Sequence, residues 1–293
     1  MKFKFWGVRG SIATPGPSTV KYGGNTTCIE IRTDNNDLII LDAGTGINAL
    51  GHSLIKDLPV TANLFITHTH WDHIQGLPFF SPMFMKGNQL KIYGGLDPVT
   101  NEGIERALAI QLQYSYFPIG EAELNAKIEY NTIKPGQTVT IGDAKITPIL
   151  LSHPVLNFGY RIDCDGQSIF FTGDYEPLFN IHQPEDKDFE AFQALIDKKQ
   201  NEITLAMKNV DALIIDSSYT TEEYHAKKGW GHGTYDSALK LASMAKAKKL
   251  FFTHHEPTRS DEQLEKIYQN IINNNAEREY EIILAREGIE NIL

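Results

Sequence analysis

The apolar positions alternate over Phe3 to Trp6 and again over Cys28 to Arg32. They run almost unbroken over Leu38–Leu41, Asn63–Thr67, Gln89–Tyr93, Lys145–Leu151, Phe158–Asp163, Ser168–Thr172, Ala212–Asp216 and Leu250–Thr253. Period two predicts a strand with one wet face, and short apolar runs bounded by turn residues predict strands covered on both faces. Tyr280–Leu284 reads as a final strand. Helical periodicity marks Ile47–Lys56, Thr100–Gln113, Phe189–Met207, Tyr235–Ala247 and Asp261–Asn273. Covered strands alternating with amphipathic helices predict an α/β layered sandwich. The chemically active residues follow strands: His68, His153, Asp174 and His254 each come just after an apolar run, where strand-end loops assemble sites.

With 293 residues the chain has ample core, and we read residues 1–293 as one domain. Segments 79–135 and 175–207 are the candidates for a lid or insert. Phe79, Phe80, Met83, Phe84, Met85, Tyr114, Tyr116 and Phe117 make the first of these aromatic-rich, suited to lining a lid, stacking a base, filling a core or making a dimer contact. Net charge is −10, which disfavours bulk nucleic acid as a partner. Cys28 and Cys164 form no CxxC pair, so free buried thiols are expected. The MKFKFWGVRG start has no apolar core of a secretory signal, and no run is long enough for a membrane helix. A cytoplasmic location without membrane association is the expectation.

His68, His70, Asp72 and His73 fall within one hexapeptide. Imidazole and carboxylate together suit Zn²⁺, with Mn²⁺ or Fe as alternatives. One ion takes about three protein ligands plus water, so four ligands in one loop predict two ions, with further ligands from elsewhere.

The series THTHWDH, His153, FTGD with Asp174 and FTHH with His254 resembles the successive metal motifs of the metallo-β-lactamase superfamily, over nearly the whole chain. The resemblance implies an αββα four-layer sandwich and a dinuclear hydrolase. It implies that His68, His70 and His153 hold one ion, that Asp72, His73 and His254 hold the other, and that Asp174 bridges them. Asp42 in LDAG would orient a ligand histidine. His255 adjoins His254; by the pattern of relatives His254 is the ligand, leaving His255 to face substrate or solvent.

Asp174 stands where the best-known zinc β-lactamases carry a cysteine. Gly231-His232-Gly233-Thr234 resembles the GHST loop of tRNA 3′-processing endonucleases and related phosphodiesterases. That likeness implies a role for His232 in protonating the leaving oxygen, with Asp216 orienting it. GVRGSIATPGPSTVKYGGNTTC resembles small cyclic-phosphate and cyclic-nucleotide phosphodiesterases, with Gly24 and Asn25 near the substrate. The HxSxRY ending and basic arm of the tRNA enzymes are missing. The expectation is a phosphodiesterase acting on a small cyclic phosphodiester through a metal-bridged hydroxide, with Asp72 positioning or deprotonating the nucleophile. The alternatives are a tRNA 3′-end endonuclease, a thiolester or lactam hydrolase, and, least favoured, a non-catalytic metal or ligand binder. By analogy with relatives, a homodimer is expected.

Overall fold

The computed structural model describes residues 1–97, 99–275 and 277–293. In chain order its strands and helices are β1 (Lys2–Gly7), β2 (Cys28–Arg32), β3 (Leu38–Leu41), α1 (Gly46–Leu54), β4 (Thr61–Phe65), α2 (Trp71–Ile74), β5 (Gln89–Gly94), α3 (Ile104–Gln111), β6 (Lys127–Thr132), β7 (Val139–Ile141), β8 (Ala144–Leu151), β9 (Asn157–Cys164), β10 (Gln167–Phe171), α4 (Phe189–Ala206), β11 (Ala212–Asp216), α5 (Thr221–Tyr224), α6 (Tyr235–Ala245), β12 (Lys249–Thr253), α7 (Asp261–Asn274), β13 (Glu281–Leu284) and β14 (Glu290–Ile292). Two sheets form, ordered β14-β1-β2-β3-β4-β5-β6 and β13-β12-β11-β10-β9-β8-β7. In each, one half is antiparallel and the other parallel.

The alternation read in the sequence becomes three apolar layers. Phe3, Phe5, Ile29, Ile31, Leu41 and Phe65 of one sheet meet Phe158, Tyr160, Ile162, Phe171, Ile214 and Phe251 of the other. On the outer face of the first sheet Ile40, Leu64 and Ile92 pack with Ile47 and Leu50 of α1 and Leu108 of α3. On the outer face of the second, Phe170, Leu213 and Phe252 pack with Ile203 of α4, Leu239 and Ala242 of α6 and Leu264 of α7. Helix, sheet, sheet and helix thus make the expected four-layer sandwich. Burying strands on both faces explains why β3 and β11 read as continuous apolar runs.

Most strand expectations match within a residue or two. α3 begins at Ile104 and not at Thr100, because the Thr100 hydroxyl closes a turn on Asp97 Oδ2 at 2.8 Å. β6, β7 and β14 had no clear pattern: β6 and β7 are edge strands with polar, half-covered side chains, and β14 pairs on one side alone. The chain therefore ends on β14, not on the 281–284 strand. Within 79–135, Phe80 and Met83 are buried in the outer core while Phe79, Tyr114 and Tyr116 are exposed; Pro98 lies outside the described residues. Residues 189–206 of the other candidate insert form α4, seated on the second sheet. Cys28 and Cys164 are free and buried. Among the described residues no helix is long and apolar enough to cross a membrane.

The topology fixes the position of the site. β3 and β4 are parallel, and β8, β10, β11 and β12 point the same way as one another. Asp42, His68, His153, Asp174, Asp216 and His254 all sit at or just past the C-terminal ends of these strands.

Candidate metal centre

The loop after β4 and the four residues of α2 carry the dense cluster. His70 adopts extended backbone at the N-terminus of α2, and Asp72 and His73 lie inside it. This turn aims His68 and His70 to one side and Asp72 and His73 to the other. Two donor sets result, each with its ligand atoms within 4.8 Å of one another: His68, His70, His153 and Asp174; and Asp72, His73, Asp174 and His254. Asp174 belongs to both. Its Oδ2 is 3.4 Å from His68 Nε2 and 3.7 Å from His153 Nε2. Its Oδ1 is 3.0 Å from His73 Nε2 and 3.1 Å from His254 Nε2. One carboxylate oxygen faces each set, which is the geometry of a bridging ligand. Asp72 Oδ2 completes the second set, 3.2 Å from His254 Nε2 and 3.3 Å from His73 Nε2.

The donor atoms fit metal ions better than one another. His68 Nε2, His73 Nε2 and Asp174 Oδ1 are buried and have no hydrogen-bond partner among the described residues. Each such atom left unpaired costs about 1–3 kcal/mol; His68 Nε2 lies in the first set and His73 Nε2 with Asp174 Oδ1 in the second, so each set holds unpaired donors that fit a cation. The Nδ1 atoms of His73, His153 and His254 are held from behind. Buried Asp42 accepts from Thr67 N–H at 2.7 Å and from His73 Nδ1 at 2.7 Å. His153 Nδ1 donates to Gly231 O at 2.9 Å. His254 Nδ1 lies 2.9 Å from Ser218 Oγ, which itself donates to Asp216 Oδ1. Fixing Nδ1 in this way presents Nε2 to the ion.

The electrostatics follow from burial and crowding. Burial, helped by the charge of His73, holds His68 down at about 3, so it offers a neutral lone pair at neutral pH. Burial works against a proton on His73, but the charges of Asp174, Asp72 and Asp42 outweigh it and hold that ring well above its ordinary value. Burial would raise Asp72, yet the His73 charge and the hydrogen bonds from His254 and His73 keep it far below the carboxylate range.

His232 lies just before α6, whose N-cap is Thr234. Its Nδ1 donates to Asp216 Oδ2 at 2.8 Å, and its ring stacks on His254 at 4.7 Å between centroids. Burial opposes its charged form, but Asp216 first and Asp174 second raise it to about 9. Asp174, Asp216, His232 and His254 also form a compact group, but the direct 2.8 Å contact leaves no room for an ion between His232 and Asp216. Donors about 2.0–2.2 Å from a metal stand farther apart than that.

One expectation is corrected, and Gly24 and Asn25 take part in the loop's own bonding. His255 does not face substrate: it is fully buried, its Nε2 lies 2.9 Å from Ala285 O, and its backbone pairs with Val8 and Gly10. Burial holds its ring at about 3. Asn25 gives its side chain to Glu287 Oε2 at 3.0 Å and its carbonyl to Val8 and Arg9 N–H. Gly24 O accepts from Thr14 N. Both therefore shape the 8–14 loop.

Four contributors escaped the sequence reading. Ser11 N–H donates to Asp72 Oδ2 at 2.7 Å. Gly10 lies so close to His254 that a Cβ there would stand 2.1 Å from its ring. Ser218 fixes His254. Glu176 is buried and accepts from Tyr224 OH and from Gly229 and Gly231 N–H, at 2.6–2.8 Å, so it moulds the loop that presents His232. Gly231, at φ 91°, has no room for a Cβ beside His153. The only local signals were the small residues of GVRGS and DSSY, and a carboxylate two residues after Asp174.

A family model described as "Beta-lactamase superfamily domain" matches residues 38–255. Ribonuclease Z of Staphylococcus aureus is 24% identical over 304 residues, covering 94% of each chain. A diphosphatase from the PhnP family superposes with a TM-score of 0.66 at 18% identity, over 100% of this chain and 97% of its own. The short form of human tRNase Z superposes with a TM-score of 0.65 at 18% identity, over 100% and 99%. At these identities the structural likeness concerns the fold.

Proposed function

We propose that this chain, which belongs to the beta-lactamase superfamily, is a dinuclear metal-dependent phosphodiesterase whose substrate is a small cyclic phosphodiester, a cyclic nucleotide or a cyclic phosphate. The observation that carries the reading is His232, paired with Asp216 and stacked on His254 at the edge of a donor set for two ions. Hydrolysis of a phosphodiester needs a nucleophile on one side of phosphorus and a proton for the leaving oxygen on the other.

When bound, two divalent ions, Zn²⁺ by the donor chemistry, would supply a water ionised near neutral pH and positive charge against the phosphoryl oxygens. His68, His70, His153 and Asp174 would hold one, and Asp72, His73, His254 and Asp174 the other. Asp72 is oriented by the Ser11 N–H, so its carboxylate is fixed beside the attacking side. Asp216 takes the Nδ1 proton of His232 as its hydrogen-bond partner. Nε2, the nitrogen not bonded to Asp216, would then carry the second proton that passes to the departing alkoxide. His232→Ala is expected to lower kcat by about 10²–10⁴ with two ions still bound; unchanged kcat would remove this role.

The small substrate is supported by the net charge of −10 and by the missing tRNA-type ending. The ribonuclease Z relatives favour a second reading, cleavage at an RNA 3′ end. One panel separates them: cyclic mononucleotides, bis(p-nitrophenyl) phosphate and precursor tRNA, with metal content measured on the same sample. Turnover of cyclic mononucleotides without precursor tRNA cleavage supports the first reading, and the reverse supports the second. Inactivity on all three with two ions bound would refute both.

A further inference from the structure

Two tryptophans border the donor sets and are left largely in solvent. Trp71, directly after ligand residue His70, is 76% exposed, and Trp230, two residues before His232, is 58% exposed. A single exposed apolar side chain is unremarkable, but two exposed indoles, each next to a residue that meets His153, have the composition of a recognition surface. They sit on segments tied together through His153, whose Nε2 is 3.2 Å from His70 Nδ1 and whose Nδ1 meets Gly231 O. From Trp230 an aromatic and cationic row runs inward. Lys227 Nζ lies 4.4 Å from the Trp230 ring and 5.4 Å from the Tyr219 ring, and Tyr219 meets His232 edge-on at 6.0 Å. One exposed indole, the ammonium lying over it, buried Tyr219 and then the proposed proton donor follow one another along this row. That order matches a ligand with a flat ring at one end and a phosphate at the other.

Resting on the phosphodiesterase reading, we propose that Trp71 and Trp230 form a stacking rim for a nucleobase, with Lys227 beside the phosphate, so that the substrate class is nucleotides and not base-free sugar or glycerol phosphates. Indoles stack on any base without reading its hydrogen-bonding edge, so purines and pyrimidines should both be accepted.

The test uses the metal-loaded protein and two readouts. Quenching of tryptophan emission is titrated with AMP and with ribose 5-phosphate. The ratio of kcat/KM for 3′,5′-cyclic AMP over base-free ribose 3,5-cyclic phosphate is then compared between wild type, W71A, W230A and W230F. Stacking is worth enough per base for the alanine variants to lower that ratio about tenfold, mostly through KM, with W230F retaining most of it. AMP should quench and ribose 5-phosphate should not. AMP binding that needs the tryptophans, in an enzyme that cleaves neither cyclic substrate, would leave the rim standing and overturn the phosphodiesterase reading. Turnover of both cyclic substrates with an unchanged ratio in the alanine variants would do the opposite. A change of oligomeric state in W71A or W230A with AMP affinity intact would make the rim a contact between copies and overturn the proposal.

Discussion

Gly10→Ala is the smallest change that should remove one metal ion without touching a ligand. Gly10 has no left-handed backbone to protect, so its need is purely spatial: an added Cβ would stand 2.1, 2.2 and 2.7 Å from three atoms of the His254 ring. Ordinary carbon contacts are about 3.5–4.0 Å, so the ring or the loop must retreat by more than an ångström. The loop is pinned by Gly10 N–H to His255 O, by His255 N–H to Val8 O and by Ser11 N–H to Asp72. The ring is pinned by Ser218 and by its place between Asp72 and Asp174. Metal–nitrogen distances tolerate about 0.2 Å. Whichever side yields, the set of Asp72, His73, Asp174 and His254 loses a ligand or has Asp72 turned. Overpacking should cost about 1–3 kcal/mol of stability, and affinity at this site should fall about 100-fold or more, while the set of His68, His70, His153 and Asp174 keeps its ion. Metal content by mass spectrometry after dialysis against a weak chelator reads this directly. Wild type should retain two ions and G10A one, with turnover lost. Gly16→Ala, with open space around its Cβ position, should match wild type. A G10A protein that holds two ions at wild-type affinity would refute the assignment of His254 and the close packing that underlies it.

Asp42→Asn keeps the shape but turns an amide N–H₂ toward Thr67 N–H or His73 Nδ1–H, two donors that Asp42 now accepts. Competition with a fluorescent chelator should show metal affinity lowered about 10–100-fold; wild-type affinity would make Asp42 a plain turn residue. Chelation of the wild type leaves the buried nitrogens and carboxylate oxygen unpartnered. An ion present at about 100 times its Kd contributes about 2.7 kcal/mol, so the thermal midpoint should drop by about 5 °C or more and recover on adding Zn²⁺. An unchanged midpoint after verified metal removal would show that these residues hold no structural share of an ion.

The apolar runs and helical periodicities were enough for an α/β layered sandwich, because strands covered on both faces need apolar residues throughout and helices on a sheet need one apolar face. The ligand types were legible for the same kind of local reason: His68 to His73 compress four donors into one turn, and His153, Asp174 and His254 each interrupt an apolar run just where a strand ends. Edge strands β6, β7 and β14 were not legible, since half-covered strands put little hydrophobic constraint on their sequence. Asp174's two-sided role needed the parallel halves of both sheets to bring separate strand ends to one edge. The same holds for residues that act through backbone or through absence of a side chain. Ser11 contributes an N–H that any residue but proline owns, and Gly10 contributes room, so neither has a chemical signature in one dimension. His255 shows the converse. Beside His254 in sequence it looked equally available, but its backbone pairs with Val8 and Gly10 and its ring lies fully buried against Ala285 O. His254 stands in a left-handed bend at φ 57°, just past the end of β12, so the chain turns between the two rings and sends them to different places. The sequence by itself decides which residue types can do the chemistry; the packing of two sheets decides which of them meet, and which nitrogen is left free.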